Sequence, residues 1–171
     1  MRIELERRNF IKFVSFATAI TTFDSLSRHA IAQLENSQSI CVFPQPLDAG
    51  DIIAMTAPAS PSSLWEIQPM VNFFKKKGIS VVVGKTITNR DKNYRYLSGG
   101  DEFRANEFME FVLDSKIKAI VSARGGYGSI RILEYLDFES IKLNPKIFIG
   151  YSDFTCVLNA IHKLSNIVTF H

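Results

Sequence analysis

The 171-residue sequence is poor in the residues that build metal and redox sites. It has two cysteines, Cys41 and Cys156, and three histidines, His29, His162 and His171. There is no C-x-x-C and no H-E-x-x-H, so no protein-built metal centre is expected. Two cysteines allow at most one disulfide, and their spacing gives no reason for one. Cys156 reads as a buried structural thiol. No G-x-x-x-x-G-K-[ST] is present, so a phosphate loop of that type is excluded. Long apolar runs are missing too: the longest candidate, Phe13 to Phe23, is about 11 residues, against the ~20 that a bilayer-spanning helix needs. Charge of one sign is also scarce. Residues 1–32 carry five Lys/Arg against three Asp/Glu, leaving 15 against 14 in the remainder. A nearly neutral body gives no electrostatic reason to invoke nucleic acid or an anionic membrane.

What is present begins with the N-terminus. Arg7-Arg8-Asn9-Phe10-Ile11-Lys12 matches the twin-arginine export pattern R-R-x-F-[LI]-K. The modestly apolar stretch after it leads to Ala30-Ile31-Ala32, an A-x-A cleavage site. Residues 1–32 are therefore expected to be a signal peptide that engages the twin-arginine export machinery and sends the protein out of the cytoplasm. Without such a signal the protein would be cytoplasmic. Residues 33–50, punctuated by Pro44, Pro46 and Gly50, read as a linker.

From residue 51 onward, strand and helix patterns alternate. Short apolar or β-branched runs at Asp51–Thr56, Ile79–Val83, Ala119–Ser122 and Ile147–Ile149 are expected strands, with a fifth at Ile167–Phe170. Between them come helices over about Leu64–Lys77 and Asp101–Ser115, a helix carrying Ile130, Ile132, Leu133 and Leu136, a short one near Phe138–Lys142, and Asp153–Leu164. The expected buried stripe of the first is Trp65, Met70, Val71, Phe73 and Phe74. That of the second is Phe103, Phe108, Phe111 and Val112. Gly84 to Gly100 reads as a polar loop. Such alternation implies an α/β fold with a parallel sheet covered on both faces.

The most informative stretch is Lys146–Thr155, K-I-F-I-G-Y-S-D-F-T. A strand that ends in glycine and turns at once into a helix exposes the turn residue at the carboxyl end of the sheet, where open α/β sheets place their chemistry. Pattern alone leaves Ser152 open between a nucleophile, with helix-start N–H groups beside it, and a helix N-cap. The motif departs from G-x-S-x-G, and Phe154, in place of the second glycine, must point away from the cleft. Arg124-Gly125-Gly126-Tyr127-Gly128 reads equally as a tight connection or as a wall of the same site. Arg124 is open between binding a substrate carboxylate and bracing that turn. For Asp153 a structural role is favoured. Two histidines fail as bases by position: His29 lies in the signal region, and His162 is ten residues past Ser152, about 15 Å along one helix. His171 ends the expected fifth strand and can approach the site, but no acid to orient it is identifiable.

Five blocks occur in fixed order: P-x-D-A-G-D-x-I-x-x-x-A-P-A-S-P (Pro46–Pro61), Y-L-S-G-G-D-E-x-R-A (Tyr96–Ala105), A-R-G-G-Y-G-S-x-R-x-L (Ala123–Leu133), L-D-F (Leu136–Phe138) and N-P-K-x-F-I-G-Y-S-D-F-T (Asn144–Thr155). Together they resemble the N-terminal domain of the LD-carboxypeptidases, also called muramoyltetrapeptide carboxypeptidases, a serine peptidase family that includes the microcin self-immunity proteins. The resemblance implies a flavodoxin- or Rossmann-like domain over 51–171 and a Ser-Glu-His triad. Ser152 is then the nucleophile, with the backbone N–H groups of Asp153 and of Gly125 or Gly126 as the oxyanion hole, and Arg124 as a substrate contact. It further implies a murein tetrapeptide substrate, from which the terminal D-Ala is released, no cofactor, and a possible homodimer. The glutamate and histidine belong to the family's C-terminal domain, so the sequence is expected to be truncated before it and inert alone. Family members often work in the cytoplasm on recycled murein, which conflicts with an export signal. The rival readings are a microcin-type amidase and an inactive fragment.

Overall fold

The computed structural model describes residues 41–89, 91 and 93–171. The twin-arginine pair Arg7 and Arg8, His29 and the cleavage site lie outside the described residues. Strand β1 (Ile52–Thr56) is followed by helix α1 (Leu64–Lys76), β2 (Ser80–Val83), the short α2 (Lys85–Thr88), α3 (Asp101–Leu113) and β3 (Ile117–Ser122). A 3-10 helix (Ser129–Tyr135), α4 (Phe138–Leu143), β4 (Ile147–Ile149), a 3-10 turn (Ser152–Phe154) and α5 (Thr155–Ser165) complete the order.

All pairings are parallel and the sheet order is β2-β1-β3-β4. Ile53 stands beside both Val81 and Ala119, and Val121 stands beside Ile149. The chain moves one way from β1 to β2, then reverses past β1 to reach β3. If crossovers keep one hand, a reversal must put the connecting helix on the opposite face. The core has that form. Ile53, Met55, Ala119 and Val121 pack with Ile67 and Val71 of α1 on one face. Ala54, Ile120 and Phe148 pack with Phe108 and Val112 of α3 and Val157 and Ile161 of α5 on the other. The period-2 alternation of each strand thus feeds two separate cores.

Local signals explain the element ends. Ser63 is the N-cap of α1, and the Glu66 carboxylate reaches back to its N–H at 2.8 Å and its hydroxyl at 2.9 Å. The helix closes at Gly78, whose φ of +75° suits glycine, with Gly78 N–H donating to Lys75 O and Ile79 N–H to Phe74 O.

Several expectations need correction. Trp65 and Phe73 are 78% and 57% exposed, because α1 turns Ile67 and Val71 to the sheet, with Met70 and Phe74 partly buried beside them. In α3 the buried face includes Arg104 and Glu107, while Phe103 lies at its edge. The helix after the glycine turn is 3-10, with Ile130 exposed. The loop after β2 contains α2. The fifth strand is reduced to two parallel bridges, Val42 with Ile167 and Ile149 with Phe170. The segment read as linker therefore contributes pairing at Val42, and Cys41 Sγ lies 3.4 Å from Asn166 Oδ1.

Candidate functional site

The carboxyl ends of β1, β3 and β4 carry three loops, and buried polar side chains hold them in place. Arg104, fully buried, donates from Nε to Gly99 O at 3.1 Å and from Nη1 to Gly128 O at 3.0 Å. It also bonds Pro58 O and pairs with Asp101, which in turn accepts from Arg131 at 2.7 Å. One guanidinium thus ties the loop after β1, the start of α3 and the glycine turn after β3. Burial lowers the Arg104 pKa, while Asp101 pulls the other way. Glu107 does similar work nearby. Its carboxylate accepts from Thr56 and Thr86 hydroxyls, both at 2.6 Å, and from Thr86 N–H at 2.9 Å. At the opposite end of the sheet, buried Lys146 donates to Asp114 O at 2.8 Å and Ile117 O at 2.7 Å, and burial pushes its ammonium pKa down.

The elbow itself is built from Gly150 to Phe154. A Cβ at Gly150 would lie 2.2 Å from Phe154 Cδ1, so only glycine lets that ring close under the turn. Phe154 is fully buried and meets Phe108 edge-on at 6.1 Å, and Phe108 stacks on Phe148 at 5.9 Å. Each aromatic pair is worth about 0.5–1.5 kcal/mol beyond area burial. Phe154 therefore points into the core, away from the cleft, and anchors the turn from below.

Ser152, above that anchor, has a φ of +57°, one of two non-glycine residues with positive φ among the described residues. A serine held in the left-handed region costs about 1–3 kcal/mol, and such strain persists where the surroundings over-determine it. The N-cap of this 3-10 turn is Tyr151, with no side-chain cap bond, so Ser152 does not act as the cap. Its side chain is exposed, and its Oγ has no hydrogen-bond partner among the described residues.

The glycine turn abuts this hydroxyl. A Cβ built on Gly125 would lie 2.7 Å from Ser152 Cβ, 3.0 Å from its Oγ and 3.1 Å from Asp153 N. Gly126, with φ +111°, instead faces Ser60, whose Oγ would meet its Cβ at 2.2 Å. Ser60 Oγ accepts from Tyr127 N–H at 3.1 Å and donates to Tyr96 O at 2.9 Å, which fixes the far side of the turn. The Asp153 carboxylate accepts from Ser129 N–H at 2.7 Å, bracing the turn against the elbow. No hydrogen bond engages the N–H groups of Gly125, Gly126 or Asp153 among the described residues.

The remaining residues have separate positions. Arg124 lies on the outer side of the turn, half exposed, with Nη1 3.3 Å from Pro61 O and 3.8 Å from Glu66 Oε1. Cys156, half-buried, donates its thiol to Asp153 O at 3.1 Å, and burial raises its pKa. His162 Nδ1 is 3.1 Å from Ile167 O at the end of α5. His171 follows Phe170, whose carbonyl accepts from Gly150 N–H at 3.1 Å, which places it at the same sheet end as the elbow. No cluster of His, Cys, Asp or Glu suited to a metal occurs among the described residues.

The strain at residue 152 has a measurable consequence. Both Ser152→Gly and Ser152→Ala remove the hydroxyl, but only glycine relieves the left-handed backbone. Ser152→Gly is expected to be the more stable of the two by about 1 kcal/mol in urea unfolding.

The sequence profile of the LD-carboxypeptidase N-terminal domain matches residues 53–171. The chain belongs to the LD-carboxypeptidase family. It is 38% identical over 128 residues to a probable murein peptide carboxypeptidase of Bacillus subtilis (strain 168), covering 75% of this chain and 39% of that protein. It is also 38% identical over 137 residues to the microcin C7 self-immunity protein MccF of Escherichia coli, covering 78% and 39%. Among solved structures, MccF in complex with aspartyl sulfamoyl adenosine superposes with a TM-score of 0.69 at 35% identity, over 75% of this chain and 38% of that one. The muramoyltetrapeptide carboxypeptidase of Oxalobacter formigenes gives 0.57 at 30% identity, over 66% and 36%. The chain thus spans about two fifths of the length of these LD-carboxypeptidase relatives.

Proposed function

We propose that this chain carries the nucleophile half of a serine carboxypeptidase that releases the terminal D-Ala from a murein tetrapeptide. The observation that carries the reading is the unpartnered Ser152 Oγ on a φ +57° elbow, with Gly125 and Asp153 N packed against it. In this mechanism Ser152 Oγ attacks the amide carbonyl carbon. The carbonyl oxygen takes up negative charge in the space between the Asp153 N–H and the glycine turn, where Gly125 lies nearest and Gly126 follows. A base takes the hydroxyl proton and delivers it to the D-Ala amine as the C–N bond breaks, and water then releases the acyl group. The resemblance assigns the base and its orienting acid, His and Glu, to the family's C-terminal domain. A serine without a base is scarcely activated at neutral pH. This chain alone is therefore expected to release no D-Ala. An MccF structure described as an active-site mutant has a serine among its three alanine replacements, which supports a serine-centred reading.

The test is a chimera in which residues 46–171 replace the matching two fifths of the Bacillus subtilis relative. D-Ala release from murein tetrapeptide is expected, and Ser152→Ala is expected to abolish it. A chimera equally active with alanine there would refute the role of Ser152. A second reading, a microcin-type amidase, is favoured by the likeness to MccF. Faster turnover of aspartyl sulfamoyl adenosine than of tetrapeptide by the same chimera would select it. Arg7 and Arg8 are proposed to direct export by the twin-arginine route.

A further inference from the structure

A turn rich in glycine loses more conformational freedom on ordering than other segments do, so the turn after β3 needs fasteners. Most of them lead away from the elbow. Ser122 Oγ at the end of β3 donates to Arg124 O at 3.0 Å. The loop after β1 holds the turn twice, through Ser60 N–H to Gly125 O at 3.4 Å and Tyr127 N–H to Ser60 Oγ at 3.1 Å. Arg104 of α3 holds Gly128 O at 3.0 Å. The elbow has its own anchor, the buried Phe154 ring. The two halves of the site are thus fastened to different elements. One hydrogen bond joins residues 124–129 to residues 150–154 among the described residues, from Ser129 N–H to Asp153 Oδ2 at 2.7 Å.

The origin of that bond is unusual for its place in the chain. Asp153 lies in the first turn of a helix start, where a carboxylate ordinarily serves its own helix, by capping or through the dipole. Among the described residues it bonds no amide of its own helix and instead reaches a donor 24 positions back in sequence. Its charge also acts on Arg104, whose pKa burial lowers and Asp101 and Asp153 raise. The same guanidinium holds the turn at Gly128 O.

We propose that the Asp153 carboxylate is a positioning group for the reaction at Ser152, which grips Ser129 N–H and so keeps the glycine turn in register with the elbow. Residue 153 then works at both ends. Its N–H nitrogen lies 3.1 Å from the place of a Gly125 Cβ, and its side chain holds the same turn at Ser129. Without the carboxylate, the donors on the turn and on the elbow drift independently. A misplacement of about 1 Å can cost about 10²-fold in rate. The oxyanion develops only as the reaction proceeds, so the loss falls on kcat and not on KM. A carboxylate that merely stabilised its helix would change stability and leave the rate alone. The effect on the reaction rests on the hydrolase reading, whereas the grip on the turn does not.

The experiment has two arms, each with Asp153→Ala, Asp153→Ser and Asp153→Asn. Serine can still serve the helix start but is too short to reach Ser129, and asparagine keeps an acceptor for its N–H. In the full chain, amide hydrogen exchange at Tyr127 and Ser129 is expected to quicken at least about tenfold with alanine or serine, with the β3 amides unchanged. In the chimera, kcat and kcat/KM for D-Ala release are expected to fall together by about 10²-fold with alanine or serine, with KM within about twofold of the parent. Asparagine is expected to stay within about fivefold of the parent in both arms, its neutral bond being the weaker one. Unchanged exchange, unchanged kcat in an active chimera, a rise in KM alone, or an asparagine variant as slow as alanine would overturn the proposal. So would global unfolding of the alanine and serine variants by circular dichroism, which would make Asp153 a determinant of the fold. A parent chimera that releases no D-Ala would count against the hydrolase reading, and the exchange arm alone would then decide the grip.

Discussion

Gly125→Ala is expected to stop the reaction at Ser152 while leaving the fold intact. The added methyl would stand 2.7 Å from Ser152 Cβ, 3.0 Å from Oγ and 3.1 Å from Asp153 N, inside the space assigned to the developing oxyanion. Ser152 Oγ can rotate away, but Ser152 Cβ and Asp153 N cannot move without the elbow, which Phe154 fixes from the core. Gly125 itself is not among the positive-φ glycines, so its own φ does not oppose alanine. Loss of one oxyanion donor typically costs about 2.7–4 kcal/mol, or about 10²–10³ in kcat. A blocked hole with a displaced nucleophile is expected to reach or exceed the upper end. Gly126→Ala provides the contrast. With φ +111° and Ser60 Oγ 2.2 Å from the new Cβ, it is expected to lower the melting temperature of the chain. Chimera kinetics read the first variant and thermal unfolding reads the second. A Gly125→Ala chimera with unchanged kcat would remove the glycine turn from the site.

The largest stability effect is expected at Arg104. Arg104→Ala removes the donor shared by Pro58 O, Gly99 O and Gly128 O and leaves Asp101 with Arg131 alone. Breaking a buried charged network from one side costs about 3–5 kcal/mol, a large share of the 5–15 kcal/mol that holds an ordinary domain. Arg104→Lys is expected to recover little, because an ammonium cannot span carbonyls on three loops. Urea unfolding of the two variants against the parent chain checks this. A loss below about 1 kcal/mol for the alanine variant would mean that the loops hold without the guanidinium.

These two residues mark what the sequence reveals and what it conceals. The four paired strands are legible because each is short and bounded by turns, whereas Ile167–Phe170, with the same pattern, forms only isolated bridges. The Ser152 elbow was legible because Gly150 interrupts an apolar run just before a helix. The α/β class follows from that alternation alone. Arg104 was not legible. Its stripe in α3 runs 104, 108, 112, but an arginine is normally placed outside, so the sequence pattern favours a face that includes Phe103 instead. Its burial depends on carbonyls 46 and 24 positions away in sequence, which no local period reports. Glu107 and Lys146 escaped for the same reason. In α1 the difficulty is an excess of apolar residues: Met70, Val71 and Phe74 do pack on the core, but Trp65 and Phe73 widen the pattern, and only packing adds Ile67 and removes those two. The division of labour in the glycine turn, Gly125 toward Ser152 and Gly126 toward Ser60, likewise emerges only from the close approach of two loops.

The central claim is that Ser152 presents a reactive hydroxyl to amide hydrogens supplied by its own helix start and the glycine turn. The most direct measurement is covalent labelling of the chimera with a fluorophosphonate, followed by peptide mass spectrometry. A single adduct on Ser152, absent in Ser152→Ala and slowed about 10²-fold or more in Gly125→Ala, is the expected result. An adduct on another residue, or labelling of Ser152 at the same rate when Gly125 carries a methyl, would contradict it.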